Sequence, residues 1–193
     1  MNKIAFIRTG GQTGVDRAAL DFARKHNISI VGWCPKNGWA EDMPHSPGIR
    51  AFYPELKETP EEDVTQRTKW NVRDSHATLI INPKHSKLSK GTNLTEQTAK
   101  EYKRPYLEVI SEEDFDKIID WLNTLGVELT LNIGGPRESE FPEAYQIATN
   151  ILEKVFKAVN DKKWTKIIIK NYKQFYPKSL AKIKLFMYNE NTT

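Results

Sequence analysis

Residues 3–27, "KIAFIRTGGQTGVDRAALDFARKHN", contain a short apolar run, then three glycines within five positions, then a stretch of helical period. The run "IAFI" before Arg8 is short and has a β-branched residue at each end, the mark of a strand. Beyond the glycines, Val15, Ala18, Ala19, Phe22 and Ala23 fall on one face at helical spacing. "TGVD" offers Thr13 as N-cap, with Asp16 three residues on. A strand that turns through bare backbone into a helix is how a strand–helix–strand unit begins.

The same alternation runs along the chain. "KIAFIR" (3–8), "ISIVGW" (28–33), "ATLIIN" (77–82), "PYLEVI" (105–110) and "ELTLNI" (128–133) read as strands, being short, rich in β-branched residues and mostly bounded by turn formers. Residues 59–74, "TPEEDVTQRTKWNVRD", read as a helix with Thr59 as cap, Pro60 in the first turn and Glu62 three after the cap. Residues 111–126, "SEEDFDKIIDWLNTLG", have Ser111 as cap, an apolar face of Phe115, Ile118, Ile119 and Leu122, and Gly126 as stop. "FPEAYQIATNILEKVFKAV" (141–159) supplies a last long helix. Strands alternating with helices predict an α/β, Rossmann-like doubly wound fold, with a mainly parallel sheet of about five strands and helices on both faces. The domain is expected over residues 1–160. Residues 34–58 lack clear periodicity and are too long for a passive connection, so they read as a functional loop.

Composition limits the function classes. The 193 residues are 38% hydrophobic and 28% charged, as in a globular domain. A single cysteine, Cys34, leaves no internal disulfide framework and no cysteine-based zinc site, and reads as an inert buried thiol. No segment approaches the roughly 20 apolar residues of a membrane span, and the first residues are too short an apolar run for a signal peptide, so a cytoplasmic protein is expected. Residues 161–193 carry eight lysines against Asp161 and Glu190, while the remainder is slightly acidic. The basic charge therefore belongs to a lysine-rich amphipathic extension, and a nucleic-acid groove through the main domain is not expected. Trp164, Ile167, Ile168, Tyr172 and Phe175 there have helical spacing. They read as a helix packed on the domain or on a second copy in a homodimer, the alternative being an anionic membrane surface.

In open parallel sheets, ligands bind beyond the carboxyl ends of the strands, at helix N-termini. Gly10, Gly11 and Gly14 stand at such a place, where free N–H groups and the helix dipole favour an oxyanion. "GGQTG" matches neither the dinucleotide fingerprint nor the P-loop, and on its own it serves equally as a structural turn. Two further strand ends repeat the pattern. "SKGTNLTEQTAKEY" (89–102) opens a helix with Gly91 and Thr92, and "NIGGPRESEFPEA" (132–144) carries Gly134, Gly135 and Arg137. Three such turns on one sheet edge suit a polyanion such as a nucleotide diphosphate. In "GWCPKNGWAEDMP" (32–44), Trp33 and Trp39 offer faces for a base, Lys36 a phosphate contact, and Glu41 and Asp42 acceptors for ribose hydroxyls or a cation. Closure of a core edge and a solvated acidic turn explain the same residues equally well. Arg67, Asn71 and Asp74 share one helix face by their spacing. Asp74 stands at the helix end, where a negative charge opposes the dipole and needs a specific partner. The four histidines have no metal-ligand spacing.

Together, "GGQTGVDRAALD", "GWCPK…AEDMP", "RTKWNVRDSHATLI", "KGTNLT" and "LNIGGPRES" closely resemble the circularly permuted YpsA-like family of the SLOG superfamily, a group labelled molybdenum carrier proteins. The resemblance runs over about residues 4–158. It implies a Rossmann-like fold and a site for a phosphate-bearing ligand, either a nucleotide (ADP-ribose-like) or the molybdenum cofactor, with a carrier or nucleotide-sensing role. It assigns ligand-binding roles to Gly10, Gly11, Thr13, Gly14, Asp16 and Arg17. It extends them to Lys36, Glu41, Asp42, Arg67, Asn71, Asp74, Gly91, Thr92, Gly135 and Arg137. Relatives of the LOG type cleave an N-glycosidic bond with a glutamate, and here Thr95 stands at its place with Glu96 one position late. One residue turns a helical side chain by about 100°, so Glu96 is expected to point elsewhere. A hydrolase using Asp16, Glu41, Asp42 or Asp74 as acid or base is the second reading, and DprA-like DNA binding through the basic tail is the third.

Overall fold

The structure, a computed structural model, describes residues 3–83 and 89–160. The expectations for residues 161–193 fall outside the described residues, and so does one of the four histidines, His85. The chain divides into two compact units, Met1–Val155 and Phe156–Thr193. In the first unit the element order is β1 (Ile4–Arg8), α1 (Val15–Lys25), β2 (Ser29–Val31), β3 (Trp33–Cys34), β4 (Lys57–Glu58), α2 (Val64–Arg73), β5 (Ala77–Ile81), α3 (Lys90–Glu101), β6 (Tyr106–Val109), α4 (Phe115–Thr124) and β7 (Leu129–Gly134). Helix α5 (Ala144–Asn160) begins in that unit and ends in the second, where the described residues are its last ones.

β1, β2, β5, β6 and β7 are the five strands expected from the sequence. They form one sheet in the order β2-β1-β7-β5-β6, every neighbouring pair parallel. The last described strand in sequence thus lies at the sheet's centre. Counted from β7 instead of β1, the order becomes 3-2-1-4-5, that of a doubly wound mononucleotide-binding sheet. The chain has the topology of a Rossmann-like fold whose first strand has been moved to the end. β5 is buried at every position and β7 at nearly every one, as strands covered on both faces require.

Right-handed connections place α1 and α4 on one face and α2 with α3 on the other, and α5 joins α1 and α4 through its side-chain links. Lys25 and His26 at the end of α1 meet Glu153 of α5, and Asn150 and Lys154 of α5 meet Glu112 just before α4. α2 lies along α3. α1 buries its predicted face and Leu20 besides. Three of its buried residues are alanines, which let the helix lie close to the sheet, while Leu20 and Phe22 each contribute roughly 1.5–3 kcal/mol of burial.

Two predicted caps are corrected. Thr13 does not cap α1. Gly14 takes that position with no side-chain cap, and the Val15 N–H donates instead to the carbonyl of Pro136 (3.3 Å). Thr59 does not cap α2, which starts five residues later, where Asp63 accepts from the Thr65 N–H (2.9 Å). The Thr59 hydroxyl instead donates to the carbonyls of Cys34 and Glu61, closing the short β3–β4 pairing. Ser111 does cap, through a capping box on the turn Glu112–Asp114 that leads into α4.

The 34–58 stretch has a small core of its own. Cys34, Ala40, Ile49, Tyr53 and Leu56 pack with Leu20 of α1. Burial, and next the charge of Glu58, push the Cys34 thiol up to about 11. Native protein is therefore expected to resist alkylation by iodoacetamide at pH 8, becoming reactive only in denaturant. Rapid labelling of native protein would contradict the buried placement.

Candidate functional site

β1, β7 and β5 are adjacent, so the loops after them, each with glycines, meet at the carboxyl edge of the sheet. β7 continues into α5 on one face and β5 into α3 on the other. The strand order reverses at this point, and such sheets open a crevice there. A cavity of about 370 Å³ occupies the place. It is lined by Gln12 after β1; Val64, Thr65, Arg67 and Thr68 of α2; Ser89, Lys90, Gly91, Leu94 and Thr95 at the start of α3; and Gly135, Arg137 and Glu140 after β7.

Its charge is mainly positive. Arg67 reaches across Gly10, where a Cβ would lie 1.8 Å from its Nη1, and donates from Nη1 to Asp16 Oδ2 at 3.0 Å. The two side chains are 13% and 6% exposed, so this ion pair is largely shielded from solvent. The Arg67 Nε is buried with no hydrogen-bond partner among the described residues. Asp16 also accepts from the Gln12 N–H (3.3 Å) and is the first-turn carboxylate facing the α1 dipole. Lys90 and Arg137 add two further cations. Glu140 is the one described carboxylate among the lining residues, accepting from Ser89 Oγ and the Arg137 N–H, both at 3.0 Å. Ser89 caps α3 by accepting from the Thr92 N–H, and a Cβ at Gly91 would meet no atom of the described residues within 4 Å.

Of the residues marked from the sequence, Arg67, Gly91, Gly135 and Arg137 line the cavity, Gly10 and Asp16 hold Arg67, and Thr92 is buried in the first turn of α3. The others lie in the surrounding framework. Beside Gly11 a Cβ would meet Leu56 and Ile49, and beside Gly14 it would lie 2.4 Å from the Pro136 carbonyl oxygen. Thr13 donates to Glu41 and accepts from the Glu138 N–H. Arg17 makes a bidentate pair with Asp42 at 3.0 and 3.1 Å, partly in solvent. Asn71 bonds the backbone N–H and carbonyl of Trp33. Asp74 has the specific partners its position called for, accepting from the Trp33 indole at 2.8 Å and from Arg73. Trp33 stands edge-on to Trp70. Lys36 lies in a separate depression.

Gln12, Ser89, Lys90 and Glu140 were not marked from the sequence. Ser89 and Lys90 could have been, since they immediately precede the Gly91 turn. Gln12 carries no such signal: its Oε1 accepts from the N–H groups of Thr13 and Glu41, a contact across 29 residues. Thr95 lines the cavity and donates to the Gly91 carbonyl. Glu96 points elsewhere, pairing with Lys100 and accepting from the Tyr106 hydroxyl.

Glu41 ties three segments together, bonding Thr13 after β1 and Ser139 after β7. Burial acts to raise its pKa, but hydrogen bonds from Ser139 and Thr13 and the charge of Arg137 outweigh this and hold the carboxyl below its ordinary 4.5. A depressed carboxyl stabilises the fold above its unfolded pKa and loses that contribution as pH falls through the folded value. Wild type is therefore expected to lose urea resistance below pH 4.5 more steeply than Glu41→Gln. Parallel curves would show that Glu41 takes no part in acid sensitivity.

Fold and cavity define a permuted doubly wound α/β module with a cationic crevice at its topological switch point. Residues 7–156 match the circularly permutated YpsA SLOG family, and the chain belongs to that family. The crystal structure of a protein titled "Putative molybdenum carrier protein", from Syntrophus aciditrophicus SB, is similar at 40% identity with a TM-score of 0.71. The similarity covers 80% of this chain and 96% of that one. No curated protein matches the chain. No described helix is long and apolar enough to cross a membrane.

Proposed function

We propose that the switch-point cavity binds a phosphate-containing small molecule, a nucleotide-derived ligand or the molybdenum cofactor, and that the chain acts as its carrier or as a nucleotide sensor. One observation carries this reading. Arg67 is a largely buried guanidinium with, among the described residues, a single carboxylate partner and a buried Nε that has none, in a cavity that also presents Lys90, Arg137 and the start of α3. A buried donor left unsatisfied is costly, and a phosphate offers the bidentate oxygens that guanidinium geometry matches. The volume is within the range of small-molecule pockets.

The molybdenum cofactor fits this cavity through its phosphate, which Arg67, Lys90 and Arg137 would hold. Among the described residues no cluster of three histidine, cysteine, aspartate or glutamate side chains offers ligands to the metal itself. Bound cofactor would supply the metal through its own organic ligand. The same cations serve an ADP-ribose-like ligand equally.

A hydrolase is the second reading, and the observation in its favour is Glu140, a carboxylate at the cavity. Calorimetric titration with ADP-ribose, AMP and ribose 5-phosphate, with product analysis after long incubation, separates the readings. Binding without turnover is expected. Turnover abolished by Glu140→Gln with binding retained would establish the hydrolase, and no binding at millimolar ligand would sink the phosphate reading.

A further inference from the structure

Beside the cavity lies a second depression of about 350 Å³, lined by Lys36, Asn37, Trp39, Pro44, Glu62 and Val64. The two adjoin. Val64 lines both. Arg137 of the first lies with its guanidinium carbon 5.4 Å from the ring centroid of Trp39 in the second.

Their chemistry differs. The first presents three cations, hydroxyls and a helix start, which suit an oxyanion. The second presents an indole, a proline and a valine, a single cation in Lys36, and the polar ends of Asn37 and Glu62, which meet each other only at 3.5 Å. A planar ring can stack on the indole, and the Glu62 carboxylate can accept from a ring amino group. We propose that this depression seats the heteroaromatic ring of the ligand whose phosphate occupies the first cavity, with Trp39 as its stacking face. The inference rests on the phosphate reading and extends it: the ligand class becomes a nucleoside 5′-phosphate whose ring carries an amino group, held at both ends with Arg137 between them.

The test compares AMP with ribose 5-phosphate, which has the phosphate end and no ring. Wild type is expected to bind AMP about tenfold more tightly, since stacking on an aromatic side chain is worth roughly that or more. Trp39→Ala should bring AMP down to the affinity of ribose 5-phosphate and leave ribose 5-phosphate unchanged. Trp39→Phe, which keeps an aromatic face and guards against a folding defect, should retain most of the preference. Equal affinities in wild type would overturn the inference. So would an equal loss for both compounds in Trp39→Ala, which would mean that Trp39 only steadies Arg137. If ribose 5-phosphate binds and Arg67→Gln abolishes it while Trp39 variants change nothing, the phosphate site stands and only the ring site falls. If neither compound binds wild type, both fall together.

Discussion

Arg67→Gln is expected to weaken a phosphate ligand about 100-fold, because it removes the buried guanidinium and with it charge-assisted hydrogen bonds worth roughly 1.5–3 kcal/mol each. The same change leaves Asp16 buried without its cation, and breaking a buried pair from one side costs about 3–5 kcal/mol of stability. The two effects can be separated. Asp16→Asn together with Arg67→Gln removes both charges, so it should recover most of the stability and none of the binding. Titration of each variant with AMP, beside its thermal unfolding, reads both quantities. If the double variant binds as wild type does, Arg67 holds the fold and not the ligand.

Gly14→Val should destabilise the protein by about 3–5 kcal/mol, near the upper end for single substitutions. The residue sits at φ 67°, a conformation a β-branched side chain avoids, and a Cβ there would lie 2.4 Å from the Pro136 carbonyl oxygen and 2.8 Å from the Glu138 nitrogen. Both obstacles are backbone, so neither can swing aside. The displaced loop carries Arg137 and supplies the carbonyl that accepts from the first N–H of α1. A fall in Tm of about 10 °C or more is expected for a chain of this size. A variant with nearly wild-type Tm and no ligand binding would reverse the assignment, making Gly14 a place for the ligand and not for the loop.

These two residues show what the sequence can and cannot disclose. The five strands were legible because each is a short run rich in β-branched residues, and β5 and β7, covered on both faces, carry few polar positions. The buried face of α1 was legible because helical spacing is local. The sheet edge was legible in part: three glycine turns follow strands that prove adjacent. What each glycine makes room for was not, because the neighbours come from far along the chain. Arg67 lies 57 positions from Gly10, and Pro136 lies 122 from Gly14. The missed caps have the same cause. Thr13 has the right residue type, but its hydroxyl serves Glu41 and Glu138, and a distant carbonyl takes its expected role. Nor could β7 be placed at the sheet's centre by any local signal, since its position follows from the permuted order of the whole chain.

The most direct test is native mass spectrometry with an absorbance spectrum, on wild type and Arg67→Gln purified without denaturation. A co-purified mass with nucleotide-like or pterin-like absorption is expected on wild type and absent from the variant. A ligand held equally by both proteins would contradict the assignment of the phosphate to Arg67. Wild type that is empty, and stays empty after incubation with millimolar AMP and ADP-ribose, would contradict the phosphate site itself.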